Sequence, residues 1–185
     1  MDTRRAGRDH GAIRTLAPEG PLMITAPIRP IESADVPRLV SVSRAADTMF
    51  AEAGLDLPPD DPRETLAQAA SVLVAGDPLC GLAALTALDG GAHLEQLAVH
   101  PDHGRQGIGS ALLEAACACA REWGSAAMTL TTFRDLPWNG PWYARRGFVE
   151  HPARLWGADL AAQWRAEADI QIAPRVAMVR RLDNA

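Results

Sequence analysis

The sequence predicts a mixed α/β (α+β) fold in one domain, with a central sheet of about seven strands flanked by helices. Three observations carry this. Residues 71–100 hold three β-patterned runs separated by turn residues, which reads as a meander. From residue 107 onward, helical and strand patterns alternate to the end, which places helices against a sheet. The chain has 185 residues, is 48% hydrophobic and shows no internal repeat, enough for a single core.

Element by element, residues 1–21 are rich in Arg, Gly, Ala and Pro without a hydrophobic period. They read as a disordered tail before a domain spanning residues 22–185. A strand is expected from Met23 to Ile31. Ser33 offers an N-cap and Asp35 suits a positive first turn; Leu39, Val40, Ala46 and Phe50 then recur at helical spacing, and Gly54 stops the helix. Asp61-Pro62-Arg63-Glu64 is a second helix start: a capping Asp, Pro at the first position and Glu at the third. Ser71–Ala75 and Leu79–Leu88 read as strands joined by Gly76-Asp77-Pro78. Asp89-Gly90-Gly91 turns into a third, Ala92–His100. A helix follows from Gly107 to Trp123, a strand from Ala126 to Thr132, a short helix from Asn139 to Arg146, and another strand after Gly147. Gly157–Ala168 reads as a helix and Val176–Arg181 as the closing strand.

Composition narrows the function. The net charge is −5, and all 18 basic residues are arginines. That balance argues against nucleic-acid binding, which needs a basic face, and sits more easily with a cationic small substrate. Cys80, Cys117 and Cys119 are an odd number with no metal spacing. They read as small buried side chains in a reducing, cytoplasmic protein without disulfides. No apolar run is long enough to span a membrane. His93, His100, His103 and His151 lack metal-ligand spacing and read as structural or solvated, so no metal is expected.

The most informative stretch is a strand ending at Val99, then His100-Pro101-Asp102-His103, then Gly104-Arg105-Gln106-Gly107-Ile108-Gly109-Ser110, then a helix. Glycines between a strand and a helix start let backbone N–H groups approach an anion, and the helix start adds partial positive charge. A nucleotide P-loop needs a lysine, and the chain has none. A dinucleotide loop needs its glycines in the opposite spacing and an acidic residue ending the next strand; here that strand ends Thr131-Thr132-Phe133. The pyrophosphate of coenzyme A is the third candidate.

The segment Leu97-Ala98-Val99 through Gly104-Arg105-Gln106-Gly107-Ile108-Gly109-Ser110 to Leu113 resembles the central motif of the GCN5-related N-acetyltransferase (GNAT) family. Trp138-Asn139-Gly140-Pro141-Trp142-Tyr143, followed by Gly147-Phe148, is similar to the family's second motif. The resemblance is strong over residues 94–148. It implies a mostly antiparallel sheet split by a V-shaped cleft that takes acetyl-coenzyme A. Backbone groups of Leu97, Ala98 and Val99 would hold the pantetheine arm. Residues Gly104, Arg105, Gln106, Gly107, Ile108, Gly109 and Ser110 would hold the pyrophosphate, with a strand bulge opening the cleft. Asn139 would touch the cosubstrate. Two departures stand out. The family usually has Arg or Gln three residues before Gly107, where this chain has Gly104, with Arg105 one later. Its helix-borne Asn commonly lies seven residues before the Tyr, where this chain has Leu136, with Asn139 only four before.

The resemblance implies transfer of an acetyl group to a primary amine. Neutralising a lysine-like amine of pKa about 10.4 near pH 7.4 costs about 4 kcal/mol, so a base helps. Tyr143, the chain's single tyrosine, stands where the family places a Tyr beside the sulfur, and is the expected acid. Glu95 is the expected base; strict alternation would put it on one face with Leu97 and Val99. The acceptor, expected to be a small-molecule amine, would meet Met49, Phe50, residues 55–61, and a helix within residues 153–175 carrying Trp156 and Trp164. A protein or peptide acceptor, acylation of a hydroxyl, and a non-catalytic acyl-coenzyme A sensor stay open at this point. The resemblance is compatible with a homodimer.

Overall fold

The computed structural model describes residues 27–182. The tail expected over residues 1–21 lies outside the described residues, as do the start of the strand expected from Met23 and residues 183–185. The elements in chain order are β1 (Ile28–Pro30), α1 (Val36–Glu52), α2 (Pro62–Gln68), β2 (Ser71–Gly76), β3 (Leu79–Leu88), β4 (Gly91–Val99), α3 (Ile108–Glu122), β5 (Ala127–Phe133), α4 (Gly140–Ala144), β6 (Val149–Glu150), α5 (Ala158–Ala166) and β7 (Arg175–Arg181). Among the described residues, seven strands form one sheet in the order β1-β2-β3-β4-β5-β7-β6. Every pairing is antiparallel except β4 with β5.

The two faces of the sheet bury different helices. On one, Ala83, Leu85, Leu94, Met128 and Leu130 pack against Ile108, Leu112, Leu113 and Ala116 of α3. On the other, Val72, Val74, Leu82 and Ala84 pack against Leu39 of α1. The continuous burial of β2 and of most of β3 follows from this, since successive side chains point to opposite faces and both faces are covered. The entry to α1 differs from expectation. A single 3-10 turn, Ser33–Asp35, precedes it, and the capping position is Glu32, not Ser33. The reason is Asp35, whose carboxylate accepts from the Glu32 N–H at 2.7 Å and from both Arg29 terminal nitrogens at 2.6 and 2.9 Å. Asp61 caps α2 as expected, accepting from the Arg63 N–H.

Two irregularities of β4 shape the molecule. Leu85 pairs with Leu94 and Ala84 with Gln96, so Glu95 is an extra residue in β4, a bulge. On its other edge, β4 pairs with β5 only at Ala92–Met128 and His93–Thr129. Beyond His93 the two strands part. The sheet is therefore split on the C-terminal side of its one parallel pair.

The stretch expected to be helical over residues 157–168 forms α5, followed by a 3-10 turn, Glu167–Ile170. It lies on the α1 side of the sheet. Its start is fixed by Asp89 in the β3–β4 turn, whose carboxylate accepts from the Asp159 and Leu160 N–H groups at 2.9 and 3.0 Å. A Cβ at Gly157 would collide with that carboxylate, so a larger residue there would have to displace the cap.

Candidate active site

The loop before α3 places free donors at a helix start. Gly107 is the N-cap of α3, with φ of 84°, and Arg105 also has positive φ, 60°. Residues in the left-handed region turn neighbouring N–H groups toward one side, which makes a concavity for anions. Among the described residues, none of the backbone N–H groups from Arg105 to Ser110 has a backbone partner. These are the orphan donors of a helix start, and they coincide with its positive end. The Arg105 side chain is exposed. The Gln106 side chain reaches back to the Asp102 carbonyl at 3.5 Å.

The split supplies the second half of the site. The His100 N–H donates to the Cys80 carbonyl at 2.8 Å. In an antiparallel ladder this fixes the parity. Ala98 and His100 turn their peptide groups to β3, while Leu97 and Val99 turn theirs into the split. Ala98, expected among the binding residues, thus faces β3 with its backbone and is buried on the α1 side. Leu97 and Val99 pack on the α3 side.

Tyr143 lies on α4 and is buried, with its ring edge-on to Trp142 and Phe148 at 5.0 and 5.5 Å between centroids. Burial pushes its phenol well above the ordinary range, against a small opposing pull from Arg146. It is therefore held protonated, as a proton donor must be. Asn139 precedes the helix, and its backbone carbonyl accepts from the Trp142 and Tyr143 N–H groups at 2.8 and 3.0 Å. Its side chain does not cap. Nδ2 donates to Thr132 Oγ1 at 2.7 Å, and Oδ1 is buried without a partner.

Glu95 is not on one face with Leu97 and Val99. The bulge breaks the alternation, so Glu95 and Gln96 both address the α1 side. The Gln163 side chain of α5 donates to Glu95 at 3.1 Å, and the Gln96 side chain donates to Ser43 Oγ of α1 at 2.6 Å. Loss of solvation raises the Glu95 carboxyl above the ordinary range. Glu167 adds to the shift and the Gln163 bond opposes it. A carboxyl is thereby displaced toward neutral pH at the mouth of the split.

On the α1 side of the split the structure joins Phe50, expected to meet the acceptor, to groups that the sequence pattern did not single out. Glu167 and Arg175 form a buried ion pair at 2.6 Å, and Thr131 Oγ1 donates to Glu167 at 2.6 Å. Arg175 covers the Phe133 ring at 5.1 Å. Phe50 of α1 meets Phe133 at 5.5 Å and Trp138 at 6.4 Å. Asp47, one turn before Phe50, is half-buried. Burial, with Asp60 nearby, pushes its carboxyl up to about 6. On the phosphate side, Arg146 was also missed. It stacks over Trp142 at 3.6 Å and donates to Ser110 Oγ at 2.7 Å, beside the orphan N–H groups. Its only sequence signal is the Arg145-Arg146 pair before Gly147.

The remaining candidates stand apart. His93 is buried beneath the split, its Nδ1 2.9 Å from Thr129 Oγ1, and burial lowers its pKa to about 4. His100 Nδ1 accepts from the Asp102 N–H in the turn that follows β4. Cys80, Cys117 and Cys119 are free thiols, the first two buried. Trp156 and Trp164 pack on each other at 5.1 Å, and Trp156 donates to the His151 carbonyl at 2.7 Å. No helix among the described residues is long and apolar enough to cross a membrane.

Residues 68–150 match the family model for the acetyltransferase (GNAT) domain. The fold matches an N-acetylglutamate synthase from Neisseria gonorrhoeae complexed with coenzyme A and N-acetyl-glutamate, with TM-score 0.66 and 22% identity over 86% of this chain and 35% of that one. It matches the ribosomal-protein-S18-alanine N-acetyltransferase from Escherichia coli with TM-score 0.62 and 18% identity, over 86% of this chain and 95% of that one. A PaiA N-acetyltransferase from Thermoplasma acidophilum in complex with coenzyme A gives TM-score 0.61 and 17% identity, over 85% and 99%. The chain spans only about a third of the length of the N-acetylglutamate synthase. The matched segment runs from the end of α2 to β6 and contains both the anion loop and the split; over it the chain is similar to the GNAT acetyltransferase domain, and the fold around it is the one these solved structures share.

Proposed function

We propose that this protein moves the acetyl group of acetyl-coenzyme A onto the primary amine of a small molecule, by direct attack with both substrates bound. The observation that carries this reading is the pairing of two unsatisfied backbone arrays: the N–H groups of residues 105–110, and the Leu97 and Val99 peptide groups facing the split. The first suits a pyrophosphate and the second an extended amide arm, which together describe coenzyme A. Arg146 adds a cation beside the loop.

The thioester supplies an activated acetyl carbon. The chain's own residues position it and handle two protons. Glu95 takes the proton of the attacking amine, by contact or through water. Tyr143 gives its proton to the sulfur as the C–N bond forms and the C–S bond breaks. Leu97 and Val99 hold the arm in line. The helix α5, tied across β4 and β5 by Gln163 and Glu167, walls the acceptor side. That wall favours a small acceptor over a protein segment, which would need an open groove.

The test is thiol release from acetyl-coenzyme A against a panel of polyamines, amino acids, aminoglycosides, arylamines and short peptides. Turnover with a small amine, lost in Tyr143→Phe, is the expected outcome. Turnover with peptides alone would overturn the small-molecule assignment. Tight acetyl-coenzyme A binding with no turnover on any acceptor would make the domain a sensor.

A further inference from the structure

Asp47 occupies a defined place on α1. Ser43, Asp47 and Phe50 follow one another at spacings of four and three, so they share one face of the helix. Both flanking residues have fixed contacts across the acceptor side. Ser43 accepts from the Gln96 side chain, next to the bulge, at 2.6 Å. Phe50 lies 5.5 Å from Phe133 and 6.4 Å from Trp138, at the far end of β5. Asp47 therefore lies between β4 and β5 on the side that α1 and α5 enclose. It is about one helical turn, ~5.4 Å, beyond the Ser43–Gln96 contact.

The charge around this position is one-sided. Among the described residues, Asp47 makes no salt bridge and no hydrogen bond. The charged group that bears on Asp47 is Asp60 in the loop after α1; elsewhere on the same side of the sheet, Glu95 on β4 stands beside Glu167 at the foot of α5. Glu167 is already neutralised by Arg175. Asp47, Asp60 and Glu95 have no cation on them. A half-buried carboxylate left without a counter-ion is unfavourable unless something brings one. The aromatic rings of Phe50, Phe133 and Trp138 beside it are also surfaces that attract cations, and the Arg175 guanidinium already uses the Phe133 ring.

We infer that Asp47 is the specificity residue of the acceptor site, and that it holds a second ammonium of the acceptor: the substrate class is a short aliphatic diamine or polyamine. One ammonium rests between Asp47 and the aromatic wall. The other amine, a few carbons away, is presented to Glu95 and the thioester. An amino-acid acceptor would place a carboxylate beside Asp47 and Asp60, and Arg175, the cation at the Phe133 ring, is already paired with Glu167. The inference rests on the acetyl-transfer reading given above, and it adds which acceptor the site selects.

The experiment uses the full chain and three acceptors of equal length that differ at the far end: putrescine, butylamine and γ-aminobutyrate. Acetyl transfer is followed for wild type and Asp47→Asn, and putrescine binding to the coenzyme A-loaded protein is measured by calorimetry for both. The expected result is a kcat/KM for putrescine about tenfold or more above butylamine, the low end for a partly desolvated charge pair. That ratio collapses toward one in Asp47→Asn, and γ-aminobutyrate is the poorest acceptor. Equal use of putrescine and butylamine, a preference for γ-aminobutyrate, or a preference that survives Asp47→Asn would each overturn the inference while leaving acetyl transfer intact. Without turnover on any acceptor, calorimetry decides. Putrescine binding that Asp47→Asn abolishes would sustain the cation site and sink the transfer reading; no binding to wild type would sink both.

Discussion

Asp89 and Asp159, 70 residues apart, cap each other. The Asp89 carboxylate accepts from the Asp159 N–H at 2.9 Å, and the Asp159 carboxylate accepts from the Asp89 N–H at 2.9 Å. Backbone donors from Asp159, Leu160 and Ala158 hold the Asp89 carboxyl below the ordinary range. The β3–β4 turn and the start of α5 are thus one unit, and α5 walls the acceptor side. Asp89→Ala removes the cap and lowers the melting temperature. With the wall loosened, the acceptor KM rises several-fold while coenzyme A affinity stays at the wild-type value. Steady-state kinetics beside a calorimetric titration of coenzyme A check the split.

Tyr143→Phe keeps the ring that packs on Trp142 and Phe148 and removes only the hydroxyl. The variant folds and binds acetyl-coenzyme A normally, and its kcat falls about 10²–10⁴-fold. A kcat near wild type would mean that the sulfur leaves without this proton.

Glu95 must be ionised to accept a proton, and its surroundings raise its pKa. Wild-type kcat/KM therefore falls as pH drops through that raised pKa, on the acidic limb of the profile. Glu95→Gln flattens the acidic limb and lowers the plateau about 10²-fold or more. An acidic limb unchanged in shape would remove Glu95 from the proton path.

His93 affects stability, not turnover. Its folded pKa lies near 4, below the ordinary 6.5, so the unfolded chain binds the extra proton between those values. Its contribution is complete above about pH 6.5 and is lost as pH falls toward 4, at most about 3 kcal/mol in all. The raised carboxyls of Asp47 and Glu95 work in the opposite direction over part of this window. Urea unfolding of wild type and His93→Asn at pH 7 and pH 4.5 isolates the histidine's share. The gap between the two proteins should narrow at the lower pH.

Gly107→Ala places a Cβ on a residue with φ of 84°. The left-handed conformation costs an alanine about 1–2 kcal/mol, which the loop can relieve only by turning its N–H groups away. Coenzyme A affinity drops about tenfold, the equivalent of ~1.4 kcal/mol. Titration calorimetry reads it directly.

Much of this was legible in the chain. The Gly107 cap, the Asp61-Pro62 helix start, the 89–91 turn and the alternation after residue 107 are local signals, and each appears where its chemistry demands. What the sequence withheld was non-local. A bulge has no one-residue signature, so Glu95 was assigned to the face of Leu97 and Val99. Its partners Gln163 and Glu167 lie some 70 residues away and are joined to it only by the fold. Ser33 looked like the cap because nothing local shows that Arg29 would draw Asp35 into the turn. Asp47 is an ordinary polar residue on an amphipathic helix until Ser43 and Phe50 are seen to touch opposite strands of the split. Arg146 became part of the phosphate side only when α4 brought it to Ser110.

The parallel contact between β4 and β5 has a mechanical consequence. Only two residue pairs, at Ala92 and His93, join the two halves of the sheet, whereas β3 and β4 pair over eight positions and β5 and β7 over seven. The chain is thus two well-laddered blocks sewn by a short seam, with α3 lying across both. In amide exchange the blocks should open as separate cooperative units, and the N–H groups of Leu97 and Val99 should exchange far faster than that of Ala98 beside them.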